Sequence, residues 1–180
     1  MTPVPPSPSN ALPVVVELRD GRCVTLREVR PDDAASFSAA FARLSADARY
    51  NRFFAALREL PPSALDRAVR PVAELEFALV AVSGRSDDGE IVGGGRYFVE
   101  ADGCTCEFSI TVADDCRRIG LASHLLQALM AAARSRGLKR MRGYVLASNV
   151  AMLGLARRFG FEVTQSDAGP TIRLVSTSLA

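Results

Sequence analysis

The fold turns on Ser109–Gly137, SITVADDCRRIGLASHLLQALMAAARSRG. A β-rich run opens it, Ala113-Asp114-Asp115 break that run, and a short loop, Arg117-Arg118-Ile119-Gly120-Leu121-Ala122, leads into an amphipathic helix. The apolar positions Ile119, Ala122, Leu125, Leu126, Leu129, Met130 and Ala133 recur at helical spacing and predict one broad buried face. Gly137 is placed as its left-handed cap, with Arg134 and Arg136 suited to the negative end of the dipole. A strand that feeds a helix through such a loop gathers N–H groups without intrahelical partners at the positive end of the helix dipole, which makes an anion site. Gly120 removes the side chain where a phosphate would approach, and Ala122 keeps the next turn slim. The expected ligand is therefore phosphate-bearing and held by backbone. The stretch is neither G-x-G-x-x-G nor the Walker loop, whose lysine and hydroxyl it lacks.

Downstream, Lys139–Leu146 reads as the return strand of a β-helix-β unit, parallel to the strand before the helix. Asn149 caps a last helix ending near Arg158, and Phe161–Thr164 with Thr171–Ser178 form a closing hairpin. Upstream, Asp20-Gly21 turns a first hairpin of Val14–Leu18 and Cys23–Val29. Asp32 is the expected cap of a helix to Leu44, Ser45 that of a helix to Leu60, and Pro61-Pro62 start a short one to Val69. Leu75–Val82, Ile91–Glu100 and Cys104–Val112 are strands, the second opened by Gly93-Gly94-Gly95, which permits close packing there. The sum is an α/β (α+β) fold: a central mixed, mostly antiparallel sheet with one parallel crossover and helices on both faces.

The 180 residues fit one domain, 14–180, behind a proline-rich tail at 1–13 expected to be extended. The tail has neither the basic start nor the apolar core of a secretory signal, and no run approaches the roughly 18 apolar residues of a membrane span. Cys23, Cys104, Cys106, Cys116 and one histidine show no metal-ligand spacing, so no metal is expected. Reduced thiols suit the cytoplasm, and a net charge of +2 points away from nucleic acid as a partner. The last strands are expected at a sheet edge, where a second copy can pair to make a homodimer.

The order strand, Arg117–Ala122 loop, helix, strand, Asn149, helix, Gly160-Phe161 resembles the GCN5-related N-acetyltransferases over Val24–Leu174. Arg117, Gly120 and Ala122 match that family's Q/R-x-x-G-x-G/A loop, which wraps the pyrophosphate of acetyl-coenzyme A. A closer likeness is to bacterial protein-lysine acetyltransferases of the Pat type, through Arg30-Pro31-Asp32-Asp33, Ser45, Arg49-Tyr50, Arg52-Phe53-Phe54, Glu107-Phe108 and Val112–Asp115. The resemblance implies acetyl-CoA as cosubstrate, bound by Ile110, Thr111, Val112, Arg117, Arg118, Ile119, Gly120, Leu121, Ala122, Ser123 and Asn149. It leaves the acceptor open between a protein lysine and a small amine such as a polyamine, amino acid or antibiotic. It also leaves open a module that binds the coenzyme without turnover.

Acetyl transfer needs a neutral amine, and a lysine amine titrating near pH 10.4 must first lose a proton. Glu107 is the only carboxylate inside the run CTCEFSITV, and it resembles the base glutamate of the Pat-type enzymes. Burial among apolar neighbours raises a carboxyl's pKa, which suits a general base. The tyrosine that many relatives place seven residues after the asparagine, as acid for the leaving thiolate, is Ala156 here. A thiol titrating near pH 8.5 is already a tolerable leaving group, so direct attack needs no side-chain nucleophile.

Overall fold

The computed structural model describes residues 12–180. The tail expected at 1–13 lies, except for its last two residues, outside the described residues. Eight strands form one sheet: β1 Val14–Glu17, β2 Cys23–Glu28, β3 Glu76–Ser83, β4 Ile91–Val99, β5 Thr105–Val112, β6 Arg140–Leu146, β7 Glu162–Gln165 and β8 Ile172–Ser178. Their order is β1-β2-β3-β4-β5-β6-β8-β7, antiparallel throughout except for β5 and β6. The helices are α1 Ala34–Arg43, α2 Ala46–Phe53, α3 Pro62–Val69, α4 Leu121–Ser135 and α5 Val150–Arg158.

Strand β3 is buried along all but its ends, as its unbroken apolar run requires. On one face Leu79, Ala81, Tyr97, Cys106 and Phe108 pack in the same core as Leu125, Leu126, Leu129 and Ala133 of α4. A Cβ on Gly95 would sit 3.0 Å from Leu129 Cδ1, and one on Gly93 3.1 Å from Leu121 Cδ2. The glycine run of β4 thus lets α4 lie close. On the other face Val80, Val82 and Ile91 meet Phe37 and Ala40 of α1.

Three local readings change. Asp32 does not cap α1: a 3-10 turn at Pro31–Asp33 precedes the helix, and it is Asp33 that accepts from the Arg30 N–H at 2.7 Å. Asp33 is also gripped by Arg27 at 2.7 and 2.8 Å, both residues being buried. The helix capped by Ser45 ends at Phe53, because Phe54 turns left-handed at φ +53°, well short of Leu60. Of the final hairpin, only β7 is an edge strand; β8 runs between it and β6. No helix among the described residues is long and apolar enough to cross a membrane.

Candidate active site

The site is built where β5 and β6 part. Their parallel pairing spans only Thr105↔Arg140, Cys106↔Met141 and Glu107↔Arg142. Beyond Glu107, β5 stays paired to β4 as far as Val112, while β6 goes on with β8 to Leu146. One edge of β5 is left open. The Ala113 N–H donates to Val92 O at 2.9 Å, and backbone direction alternates along a strand. The N–H groups of Ile110 and Val112 therefore face the gap. Thr111, also expected at the coenzyme, has its backbone turned to β4.

Glu107 stands at the fork. Register places Phe98, Glu107, Arg142, Ser176 and Glu162 in one row across five strands, on a single side of the sheet. Glu107 is half-buried and makes no hydrogen bond or ion pair among the described residues. Burial pushes its carboxyl above the ordinary value; Arg142 pulls it down, Glu100 raises it and Arg52 of α2 lowers it, and burial prevails. Burial also pushes Arg52 down to about 10, with Arg96 acting in the same direction and Glu107 opposing. Beside this row lies a groove of about 420 Å³ lined by Glu100, Asp102, Thr105, Arg140, Arg142, Glu162, Leu174 and Ser176. Phe98, the cross-strand neighbour of Glu107, is left 43% exposed.

The loop Arg117–Gly120 leads into α4. Gly120 caps α4 at φ +99°, a left-handed conformation that requires glycine. Leu121 and Ala122, the first helical residues, have N–H groups free of intrahelical bonds. The Ser123 N–H donates to Gly120 O at 3.0 Å. Ile119 lies outside the helix, and its carbonyl accepts from the Arg19 N–H at 3.0 Å. Arg117 is tied to Asp114 at 2.8 Å, whereas exposed Arg118, left-handed at φ +63°, has no partner among the described residues.

Arg19 reaches the same loop, though nothing in the sequence marks it out. Its side chain lies 3.7 Å from where a Gly120 Cβ would be, which brings a further cation to the loop from the β1–β2 turn. An arginine beside Asp20-Gly21 reads as ordinary turn solvation. Asp114 proves to be a brace. It accepts from the Ser45 N–H at 2.8 Å and Ser45 Oγ at 2.9 Å, joining the start of α2 to the loop. Burial alone would raise its pKa; the bonds from Ser45 and the charge of Arg117 outweigh that and lower it.

Asn149 caps α5, its Oδ1 accepting from the Met152 N–H at 3.1 Å, just past the β6 wall of the gap. Arg157 and Arg158 sit at the opposite, carbonyl end of that helix. Ala156 is fully buried, so the usual tyrosine position is core here. Tyr144 stands on β6 beyond the fork, on the side of Glu107. Cys106 and Cys116 are buried thiols, the first pushed by burial up to about 12. Among the described residues no group of His, Cys, Asp and Glu is placed to hold a metal ion.

The parted strands, the unpaired carboxylate and the cationic loop at a helix start suit an acyl-coenzyme A, and comparison with known proteins agrees. Residues 39–161 match the acetyltransferase (GNAT) family. An acetyltransferase of Pseudomonas aeruginosa is 32% identical over 163 residues, 89% of this chain and 86% of that protein. Acetyltransferase Pat of Mycolicibacterium smegmatis is 29% identical over 160 residues, 87% of this chain but 46% of the relative, so the chain spans about half of that protein. The crystal structure of the GNAT domain of S. lividans PAT superposes with a TM-score of 0.83 at 26% identity, covering 92% of this chain and 96% of that one. The chain therefore belongs to the acetyltransferase (GNAT) family, enzymes that draw their acetyl group from acetyl-CoA.

Proposed function

We propose that this enzyme acetylates the ε-amine of a lysine on another protein, by direct attack with Glu107 as general base. The observation that carries the reading is the half-buried Glu107 carboxylate, raised in pKa and free of partners, at the point where β5 and β6 separate. A carboxylate so placed can take a proton from an ammonium group entering from the groove side. Acetyl-CoA, when bound, would supply the thioester: the neutral amine forms the amide bond as the carbon–sulfur bond breaks, and the coenzyme leaves as a thiolate that takes up a proton. The N–H groups of Ile110 and Val112 hold the pantetheine arm in the gap, and one of them polarises the thioester carbonyl. Leu121 and Ala122 N–H groups, with Arg118 and Arg19, receive the phosphates. Gly120 gives the loop its turn, and Asn149 holds the mouth of the gap.

Neither buried thiol suits an attacking role. Cys106 is held protonated by burial and Cys116 is raised likewise. A lysine on a protein suits the acceptor side, because the groove beside Glu107 runs on along β6 and β8 and Phe98 is left exposed next to the base. We place the reaction in the cytoplasm, which suits the four free cysteines.

The test pairs Glu107→Gln with an acceptor competition. The substitution should lower transfer by about 10²–10⁴-fold while calorimetry finds acetyl-CoA affinity unchanged. Because the carboxylate is the active form, wild-type transfer should fall toward acid with a midpoint above the ordinary glutamate value, and Glu107→Gln should lack that limb. Normal transfer by Glu107→Gln across pH would sink the base assignment. Faster turnover of free polyamines or amino acids than of lysine-bearing proteins would move the acceptor to the small-amine class.

A further inference from the structure

Arg142 stands opposite Glu107 in the β5–β6 register and on the same side of the sheet, yet its guanidinium is committed elsewhere. It forms an ion pair with Glu100, the residue just past β4, and lies 5.8 Å from the centre of the Tyr144 ring. The pair is largely shielded, with side-chain exposures of 33% for Arg142 and 22% for Glu100. An arginine free to turn toward a facing carboxylate closes a two-pronged, charge-assisted pair on it. Such a pair occupies the lone pairs of the carboxylate and lowers its proton affinity, which makes a poor base.

We propose that Glu100 and Tyr144 hold the Arg142 guanidinium off Glu107, so that Arg142 and Glu100 act as positioning residues that keep the Glu107 carboxylate open to the acceptor ammonium. The inference rests on the reading of Glu107 as the base. The charges acting on Glu107 are Arg142 from β6, Arg52 from α2 and Glu100 from the end of β4, while its β4 neighbour Phe98 is uncharged. After burial, Arg142 lowers the Glu107 pKa and Glu100 raises it. Glu100 thus acts twice in one direction: through its own charge, and by detaining Arg142.

The two partners should therefore shift the acid limb of transfer in opposite directions. The experiment is the pH profile of kcat/KM for acetyl transfer to a lysine peptide, with acetyl-CoA affinity measured alongside by calorimetry. Glu107→Gln should lack the acid limb. Glu100→Gln releases Arg142 onto Glu107, moving the limb to lower pH and reducing the plateau rate. Arg142→Gln removes the competing charge and moves the limb to higher pH, and Arg142→Lys restores most of the wild-type position. Coenzyme affinity should be unchanged in all four.

If Glu107→Gln keeps the limb, the base reading falls and takes this inference with it. If Glu107→Gln loses the limb but Glu100→Gln and Arg142→Gln leave it in place, or move it the same way, the positioning role alone is overturned. Should Arg142→Gln not fold, Glu100→Gln and Arg142→Lys decide: a downward shift in the first with a near-native limb in the second supports the proposal, and any other pattern refutes it.

Discussion

Gly143 is the first residue of β6 beyond its last pair with β5, and the ring of Phe108 occupies the space a side chain would need. A Cβ there would lie 2.8 Å from Phe108 Cε1, 3.1 Å from Cδ1 and 3.1 Å from the Phe108 carbonyl oxygen. The ring cannot swing away cheaply, because it packs against Phe161 with centroids 5.4 Å apart. Overpacking of this kind costs about 1–3 kcal/mol, and replacing a strand glycine with alanine returns about 0.5–1 kcal/mol of backbone entropy. Gly143→Ala should thus destabilise by up to roughly 2.5 kcal/mol, a Tm loss of up to roughly 10 °C for a chain of this size. Thermal unfolding followed by circular dichroism reads it directly. A double-mutant cycle with Phe108→Leu isolates the cause: in the Phe108→Leu background the added methyl should cost less, with a coupling of about 0.5 kcal/mol or more. Equal cost in both backgrounds, or a rise in Tm on Gly143→Ala alone, would refute the reasoning.

Four substitutions test two other places, the Arg27–Asp33 pair and the loop before α4. Asp33→Ala strips the buried Arg27 of its partner and should cost about 3–5 kcal/mol in denaturant unfolding. Burial alone would raise the Asp33 pKa, but the bonds from Arg27 and the Arg30 N–H outweigh it and lower it. Its contribution is therefore complete above the unfolded aspartate value of roughly 3.9 and is lost as pH falls through the folded value, so Asp33→Asn should flatten the acid side of the stability profile; an unchanged profile argues against the pair. At the loop, Gly120→Val forces a β-branched residue to φ +99° and should abolish acetyl-CoA binding in calorimetry. Arg19→Ala should weaken binding and reduce its salt dependence while Tm is held, and a salt dependence equal to wild type would remove Arg19 from the site.

Much of this was legible because local chemistry and tertiary demand agree. The helical spacing of Leu125, Leu126, Leu129 and Ala133 serves both the helix and the core, so α4 was readable to within two residues. Gly120 and Gly137 sit at positive φ because no other residue type suits those turns. Glu107 stood out as a lone carboxylate in an apolar strand, and its half-burial follows from that setting. What failed was decided at a distance. Asp33, not Asp32, is the engaged carboxylate before α1 because Arg27 on β2 reaches it, a pairing that no window around the helix contains. Phe54 ended α2 early by turning left-handed, well short of the expected Leu60. Arg19 joined the loop from the other end of the sheet through its contacts with Ile119 and Gly120, and Thr111 was lost as a donor because strand direction, not sequence, decides which N–H groups face the gap.

The order in which the strands lie also sets the order in which they can be assembled. From β1 to β5 each strand pairs with the strand made just before it, although α1 to α3 intervene between β2 and β3, so that part of the sheet can grow strand by strand as the chain leaves the ribosome. The other part cannot. When β7 is synthesised its only neighbour in the sheet, β8, does not yet exist, and β6 also lacks its β8 neighbour. Val175, fully buried at the middle of β8, lies between Gly143 of β6 and Val163 of β7. The wall of the gap that faces Glu107 thus acquires its final support only when the last strand of the sheet has been translated.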